Sequence, residues 1–231
     1  MQKLLKLELR KVKLGGYVKG ALISDGVLFI ILIFMNYVCI VEGEDIFLSY
    51  KAVFELISSL VNAVFIVMSS VLISGVLLEE YKSKTVQVLF AYPVSRKTIL
   101  GAKTVLIMLF TFTATFISSI VLGLLYLPVN WLLPVVQGSV DSTLLLKTFF
   151  FYGINALAAS GMGLIPLLFC MKKKSTPACV LSAVVLTLIV CSNNGGSTLS
   201  TVLPVTLSLG AAGVVIAWFS LKNAVQEDVI C

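Results

Sequence analysis

Ala52-Val-Phe-Glu-Leu-Ile-Ser-Ser-Leu-Val-Asn-Ala-Val-Phe-Ile-Val-Met-Ser-Ser-Val-Leu-Ile-Ser-Gly-Val-Leu-Leu78 carries one charged residue, Glu55, a turn from its start. A helix needs about 20 apolar residues to cross the hydrocarbon core of a bilayer. This stretch is long enough, and it decides the fold class because the chain repeats it. Apolar segments also run over 21–41, 104–127, 144–170 and 199–221, with a shorter one over 177–191. The pattern predicts a single all-α membrane domain of six transmembrane helices.

Composition agrees. The 231 residues are 59% hydrophobic and only 12% charged, whereas a soluble domain needs about 25% charged residues. Most of the surface must therefore face lipid. A net charge of +6 in a soluble chain would suggest nucleic acid. Here the basic residues fall between apolar runs, which reads as membrane topology with no nucleic-acid partner.

With the N-terminus in the cytoplasm, the inner segments hold Lys3, Lys6, Arg10, Lys11, Lys13 and Lys19, then Lys82, Lys84, Arg96, Lys97 and Lys103. They also hold Lys172, Lys173, Lys174 and Lys222, leaving only Lys51 and Lys147 of the 17 basic residues outside. That bias predicts both termini inside. Residues 1–19 read as a basic amphipathic helix in the inner interface, ended by Gly15-Gly16. No small-residue cleavage site follows the first apolar run, so it is expected to be retained.

Local signals place several edges. Ser95 precedes the third span and Ser142 the fourth, while Thr176-Pro177 caps and starts the fifth. Pro128 is expected to stop the third span and Pro166 to kink the fourth. The runs Ala156–Gly163 and Gly210–Gly213 are small enough for close helix contact. Residues 128–143, with Trp131, read as a short or re-entrant segment at the outer interface.

Much chemistry is excluded. The chain has no histidine, and the five cysteines (Cys39, Cys170, Cys179, Cys191 and Cys231) form no C-x-x-C pair. They read as small apolar side chains, with a Cys39–Cys191 disulfide as the minor alternative. Gly101-Ala-Lys-Thr104 lacks the spacing of a phosphate-binding loop, so ATP hydrolysis, if used, belongs to another chain. No intramembrane protease pattern is present. Asp25 and Glu55 each stand about a turn inside a span and read as carboxylates that snorkel or pair with lysines, so no charge is expected at the bilayer centre.

The segment 79–103 is more elaborate than a connector. Glu79 and Glu80 follow the second span at the inner surface, where carboxylates are disfavoured without a basic partner. A short helix can start at Ser83 or Thr85, with Val86, Leu89, Phe90 and Pro93 on one apolar face. Pro93 pushes Tyr92 out of helical geometry. Such a face is covered either by the bilayer or by a groove in a partner.

Glu79-Glu-Tyr-Lys-Ser-Lys-Thr-Val-Gln-Val-Leu-Phe-Ala-Tyr-Pro-Val-Ser-Arg-Lys-Thr-Ile-Leu-Gly-Ala-Lys103 resembles the loop between the second and third spans of ABC-2 type transporter permeases. Glu79, Thr85, Leu89, Pro93, Ser95, Arg96 and Lys103 match its pattern, although Lys84 stands where the family has Gly. The small, charge-poor chain is most similar to bacterial permeases for export of, or immunity to, peptide toxins, lantibiotics or bacitracin, such as phenol-soluble modulin exporters. The resemblance implies a coupling helix seated on an ATP-binding subunit, formed by Glu79, Glu80, Tyr81, Lys82, Thr85, Val86, Leu89, Phe90, Pro93 and Arg96. Lys172 and Lys173 would make a second contact. It also implies a complex of two permeases and two ATPases in the cell membrane, with ATP and magnesium used only by the partner. The second and fifth spans would then line a substrate path through Ser58, Asn62, Phe65, Ser69, Ser182 and Thr187. Each hydroxyl has the alternative of ordinary interhelix bonding. A path without charge suits amphipathic peptides or lipophilic compounds. A channel or secondary carrier, or an accessory membrane protein, is the alternative.

Overall fold

The computed structural model describes residues 14–42, 49–78, 96–132, 135–136, 141–173, 175–194, 197–198 and 202–227. Nearly all of these are helical. The helices are α1 (Leu14–Glu42), α2 (Tyr50–Ile73) and, after a π-helical segment Ser74–Leu78, α3 (Arg96–Leu132). They continue with α4 (Ser142–Met162), α5 (Pro166–Lys173), α6 (Thr176–Val190) and α7 (Leu203–Glu227). A two-residue antiparallel pair, Asn193–Asn194 with Ser197–Thr198, follows α6.

Five helical stretches are long and apolar enough to cross a membrane: Gly15–Val41, Tyr50–Leu77, Leu100–Leu132, Ser142–Lys173 and Leu203–Ser220. The chain is therefore a multi-pass, all-helical membrane protein. Helix α6, where a fifth span was expected, has 15 residues. That is about 22 Å of helix against a hydrocarbon core of about 30 Å.

Specific contacts give the helix directions. The Tyr50 hydroxyl accepts from Asn130, and Lys103 Nζ donates to the Val76 carbonyl at 3.4 Å, so α2 and α3 are antiparallel. Phe54 meets Tyr152 edge to face with ring centroids 6.5 Å apart. Further along, Ser69 Oγ donates to the Gly163 carbonyl at 2.8 Å. Helices α2 and α4 thus run the same way. So do α4 and α7, because Gly161 faces Gly210 while Ile165 faces Gly213. A Cβ added to Gly161 would overlap the Gly210 backbone. The two small-residue runs expected to allow close contact therefore find each other. The most buried of the long stretches are α2 and α4–α5, and the least buried are α1 and α7.

Several boundaries differ from expectation. Gly15 and Gly16 lie inside α1 and do not end a helix, while the amphipathic helix expected before them falls on residues 1–13, outside the described residues. Glycine weakens a helix by only about 1 kcal/mol, less than a continuous apolar helix gains in lipid. Pro128 lies inside α3, which runs on to Leu132. Membrane helices tolerate proline where neighbouring groups satisfy the freed carbonyl. Beyond it, Asn130 Oδ1 accepts from the amides of Val135 and Val136 and closes the end of the helix. Trp131 and Leu132 are 84% and 71% exposed, as suits residues at a lipid interface. Pro166 does more than kink its helix: Gly163–Ile165 form a turn, and Pro166 opens α5. The caps sit one residue early, at Asp141 and Ser175. The Thr143 hydroxyl donates to Asp141 Oδ2 and holds that carboxyl below the usual carboxylate range.

Candidate functional site

Two groups of candidate residues are placed by the fold. The first is the base of the segment 79–103. Glu79, Glu80, Tyr81, Lys82, Thr85, Val86, Leu89, Phe90, Pro93 and Ser95 lie outside the described residues, and Arg96 is the first residue of α3. The neighbouring end of α2 is described in detail. Its last turn opens into the π form over Ser74–Leu78, which loosens the backbone hydrogen-bond ladder. Side chains from elsewhere close it. Lys103, 1% exposed, reaches the Val76 carbonyl from α3. Ser74 Oγ donates to Thr176 Oγ1 at 2.9 Å, and Cys179 Sγ donates to the Ser70 carbonyl. The Tyr17 hydroxyl of α1 packs on Gly75, where any Cβ would displace it. Three helices, α1, α3 and α6, therefore converge on the turn from which the segment leaves α2. Lys172 and Lys173 form the exposed last turn of α5, where cations complement the helix dipole.

The second group is the row of polar residues on α2. Ser58, Asn62, Phe65 and Ser69 are all buried within the subunit. Ser69 is committed, donating both to the Ile66 carbonyl and to Gly163 across the interface with α4. Neither Ser58 Oγ nor either amide atom of Asn62 has a hydrogen-bond partner among the described residues. Ser182 and Thr187 of α6 donate to the carbonyls of Cys179 and Val184 in their own helix. The fold thus brings Ser58, Asn62, Phe65 and Ser69 onto one side of α2, while the two α6 hydroxyls act locally.

Helix α4 adds two further buried polar residues, Tyr152 and Asn155, 3% and 1% exposed, with the Tyr152 hydroxyl against Gly123 of α3. The Tyr152 hydroxyl and Asn155 Oδ1 are unpartnered among the described residues, although Asn155 Nδ2 donates to the Phe151 carbonyl. Their i, i+3 spacing within an apolar segment was the available signal.

The carboxylates divide. Glu55 pairs with Lys51 at 3.7 Å, as expected for a helix end. Asp25 does not. Because α1 starts by Leu14, Asp25 lies roughly 16 Å along the helix. It accepts from Ser118 Oγ at 2.8 Å, near the middle of the Leu100–Leu132 span. Its other oxygen is buried and unpartnered among the described residues. The expectation of no charge deep in a span is therefore corrected. Cys39, Cys170, Cys179 and Cys191 are thiols, the first three buried, and Cys39 and Cys191 form no disulfide.

No family model matches the chain, and no solved structure matches it. Along almost its whole length the chain is similar to the uncharacterized protein YcbO of Bacillus subtilis (strain 168). The two are 33% identical over 225 residues, covering 97% of this chain and 99% of that protein. At that identity and coverage, this chain belongs to the same protein family as YcbO.

Proposed function

We propose that the chain is the transmembrane permease subunit of an ATP-driven exporter of the ABC-2 type. It works in a bacterial cell membrane, paired with a second permease and two ATP-binding subunits. The observation that carries this reading is the segment 79–103. Its Thr85, Leu89, Pro93, Ser95, Arg96 and Lys103 follow the permease coupling pattern. The base of that segment is braced by Lys103 and Thr176, which supports transmission of a push into the helices. ATP and magnesium act on the partner, and this chain's own role is mechanical. The cargo class that fits a path without charge is an amphipathic peptide or a lipophilic antimicrobial compound.

Six crossings with both ends in the cytoplasm fit the reading. Helix α7 runs parallel to α4, and a return of the chain through α6 between them would supply the further crossing. The basic residues then gather on the cytoplasmic side.

The test is co-purification from detergent. An ABC ATP-binding subunit is expected to accompany the chain, and Phe90→Asp is expected to release it and abolish export. If no ATP-binding subunit co-purifies and Phe90→Asp leaves export unchanged, the reading fails.

A carrier driven by an ion gradient is the second reading, favoured by one observation, the deep carboxylate Asp25. Such carboxylates often serve coupling ions. Asp25→Asn separates the two: a carrier loses transport, whereas an exporter keeps ATP-dependent transport.

A further inference from the structure

Seven buried side-chain polar atoms have no hydrogen-bond partner among the described residues, and five of them belong to Ser58, Asn62, Tyr152 and Asn155. The concentration is not explained by a general lack of partners. On α3 the buried hydroxyls of Thr104, Thr111, Thr115 and Ser119 each donate to a carbonyl one turn back.

The two α2 residues face α4, while the Tyr152 hydroxyl lies against Gly123 of α3 and Asn155 bonds within its own helix. Helices α2 and α4 run in the same direction, and the Phe54–Tyr152 and Ser69–Gly163 contacts fix their register. Between those contacts α2 presents Ser58 and Asn62 one turn apart. Both share the face of α2 that carries Ser69 to Gly163, so three unpartnered atoms stand on the α4 side of α2 within a long span. An unsatisfied polar group costs about 1–3 kcal/mol in a protein interior and several in lipid. A hydroxyl and an amide side by side ask for an occupant that both donates and accepts.

Beside Phe54 and Tyr152, between α3 and α4, lies an open cavity. It has a volume of about 200 Å³ and is lined by Phe54, Leu124, Leu127, Thr148, Phe149 and Tyr152, and Leu124 and Phe149 on its wall are exposed to the surroundings. Its volume gives room for an apolar group that enters from outside the bundle. The far end of the seam meets Ser69 and the turn Gly163–Ile165, where α4 is interrupted.

We propose that the α2–α4 seam is the solute path of this subunit and opens within its own helix bundle. It would bind neutral groups that donate and accept at once, while the cavity holds an adjoining apolar group. The unpartnered atoms belong to its closed form. Water and the backbone amide of a peptide share the required chemistry. The proposal deepens the transport reading above, but its test does not depend on the ATP-binding subunit.

The experiment is thiol labelling of the full chain in membrane vesicles. Single replacements Asn62→Cys and Ser58→Cys are treated with N-ethylmaleimide, and the modified position is read by peptide mass spectrometry with the native cysteines in place. Maleimide needs the thiolate, which forms in a polar surround, so both are expected to react about tenfold faster than Ile66→Cys. Ile66 is fully buried one turn from Asn62 among Ala158, Met162 and Val190. Ser58→Cys alters the volume little, so it serves if Asn62→Cys does not fold. A second arm adds a capped, uncharged leucine–serine peptide. Slower labelling identifies the peptide amide as occupant, and unchanged labelling identifies water. Rates no higher than Ile66→Cys at both positions overturn the proposal. Loss of the exporter reading alone would appear as fast labelling with no ATP-binding subunit recovered.

Discussion

Helix α3 and the α2–α4 seam hold similar numbers of buried polar side chains but treat them in opposite ways. On α3, Thr104, Thr111, Thr115 and Ser119 return their hydrogens to their own helix at 2.7–3.0 Å. The backbone absorbs the cost of each hydroxyl, leaving small side chains at the interface. In the seam, Asn62 cannot be satisfied that way: its amide offers two donors and an acceptor, and neither heavy atom finds a partner among the described residues. A polar residue within a span is thus not by itself a sign of function. What separates the two regions is whether the helix can look after its own hydrogen bonds.

The largest expected effect breaks the contrast from the seam side. Asn62→Leu keeps the number of heavy atoms and removes both orphan groups. It is expected to stabilise the folded protein by roughly 1–3 kcal/mol, read as a raised Tm in detergent. A lowered Tm would mean that Asn62 has partners in the folded bundle. Ser69→Ala removes the one direct polar link across the seam, to Gly163. Interhelix hydrogen bonds in membranes average about 0.6 kcal/mol and reach about 1.7, so a loss within that range is expected from the same melting measurement. Thr115→Val sharpens the contrast from the other side. Its hydroxyl serves only the Thr111 carbonyl, so a change below about 0.5 kcal/mol is expected. A larger loss would show that Thr115, like Ser118, acts between helices.

The apolar lengths made most of the fold legible, because a bilayer imposes one dominant requirement on every span. The ends were less legible. Gly15-Gly16 and Pro128 are strong breakers in water, but in lipid an unpaired backbone costs more than a weakened helix. Hence α1 and α3 run through them. The depth of Asp25 followed from the same misplacement: a span begun at residue 21 puts it near an end, whereas a helix begun by Leu14 puts it deep. Ser58, Asn62 and Ser69 were legible as a polar stripe on α2. Tyr152 and Asn155 were hidden by the neighbouring small residues, whose packing against Gly210 and Gly213 dominates the other side of α4. The expected coupling residues from Glu79 to Pro93 rest on sequence pattern alone.

Helix α6 is held in place at both ends. Cys179 is bonded to the Ser70 carbonyl and Cys191 to the Ser59 carbonyl, so it cannot slide along α2. Its C-terminal end therefore stops level with Ser59, roughly 13 Å short of Tyr50, where α2 begins. If α6 meets lipid at that level, the surface it offers is shorter than the hydrocarbon core, and each ångström of mismatch costs a fraction of a kcal/mol. A bilayer of shorter acyl chains is then expected to raise the Tm, and an unchanged Tm would mean that protein, not lipid, covers this end of the helix.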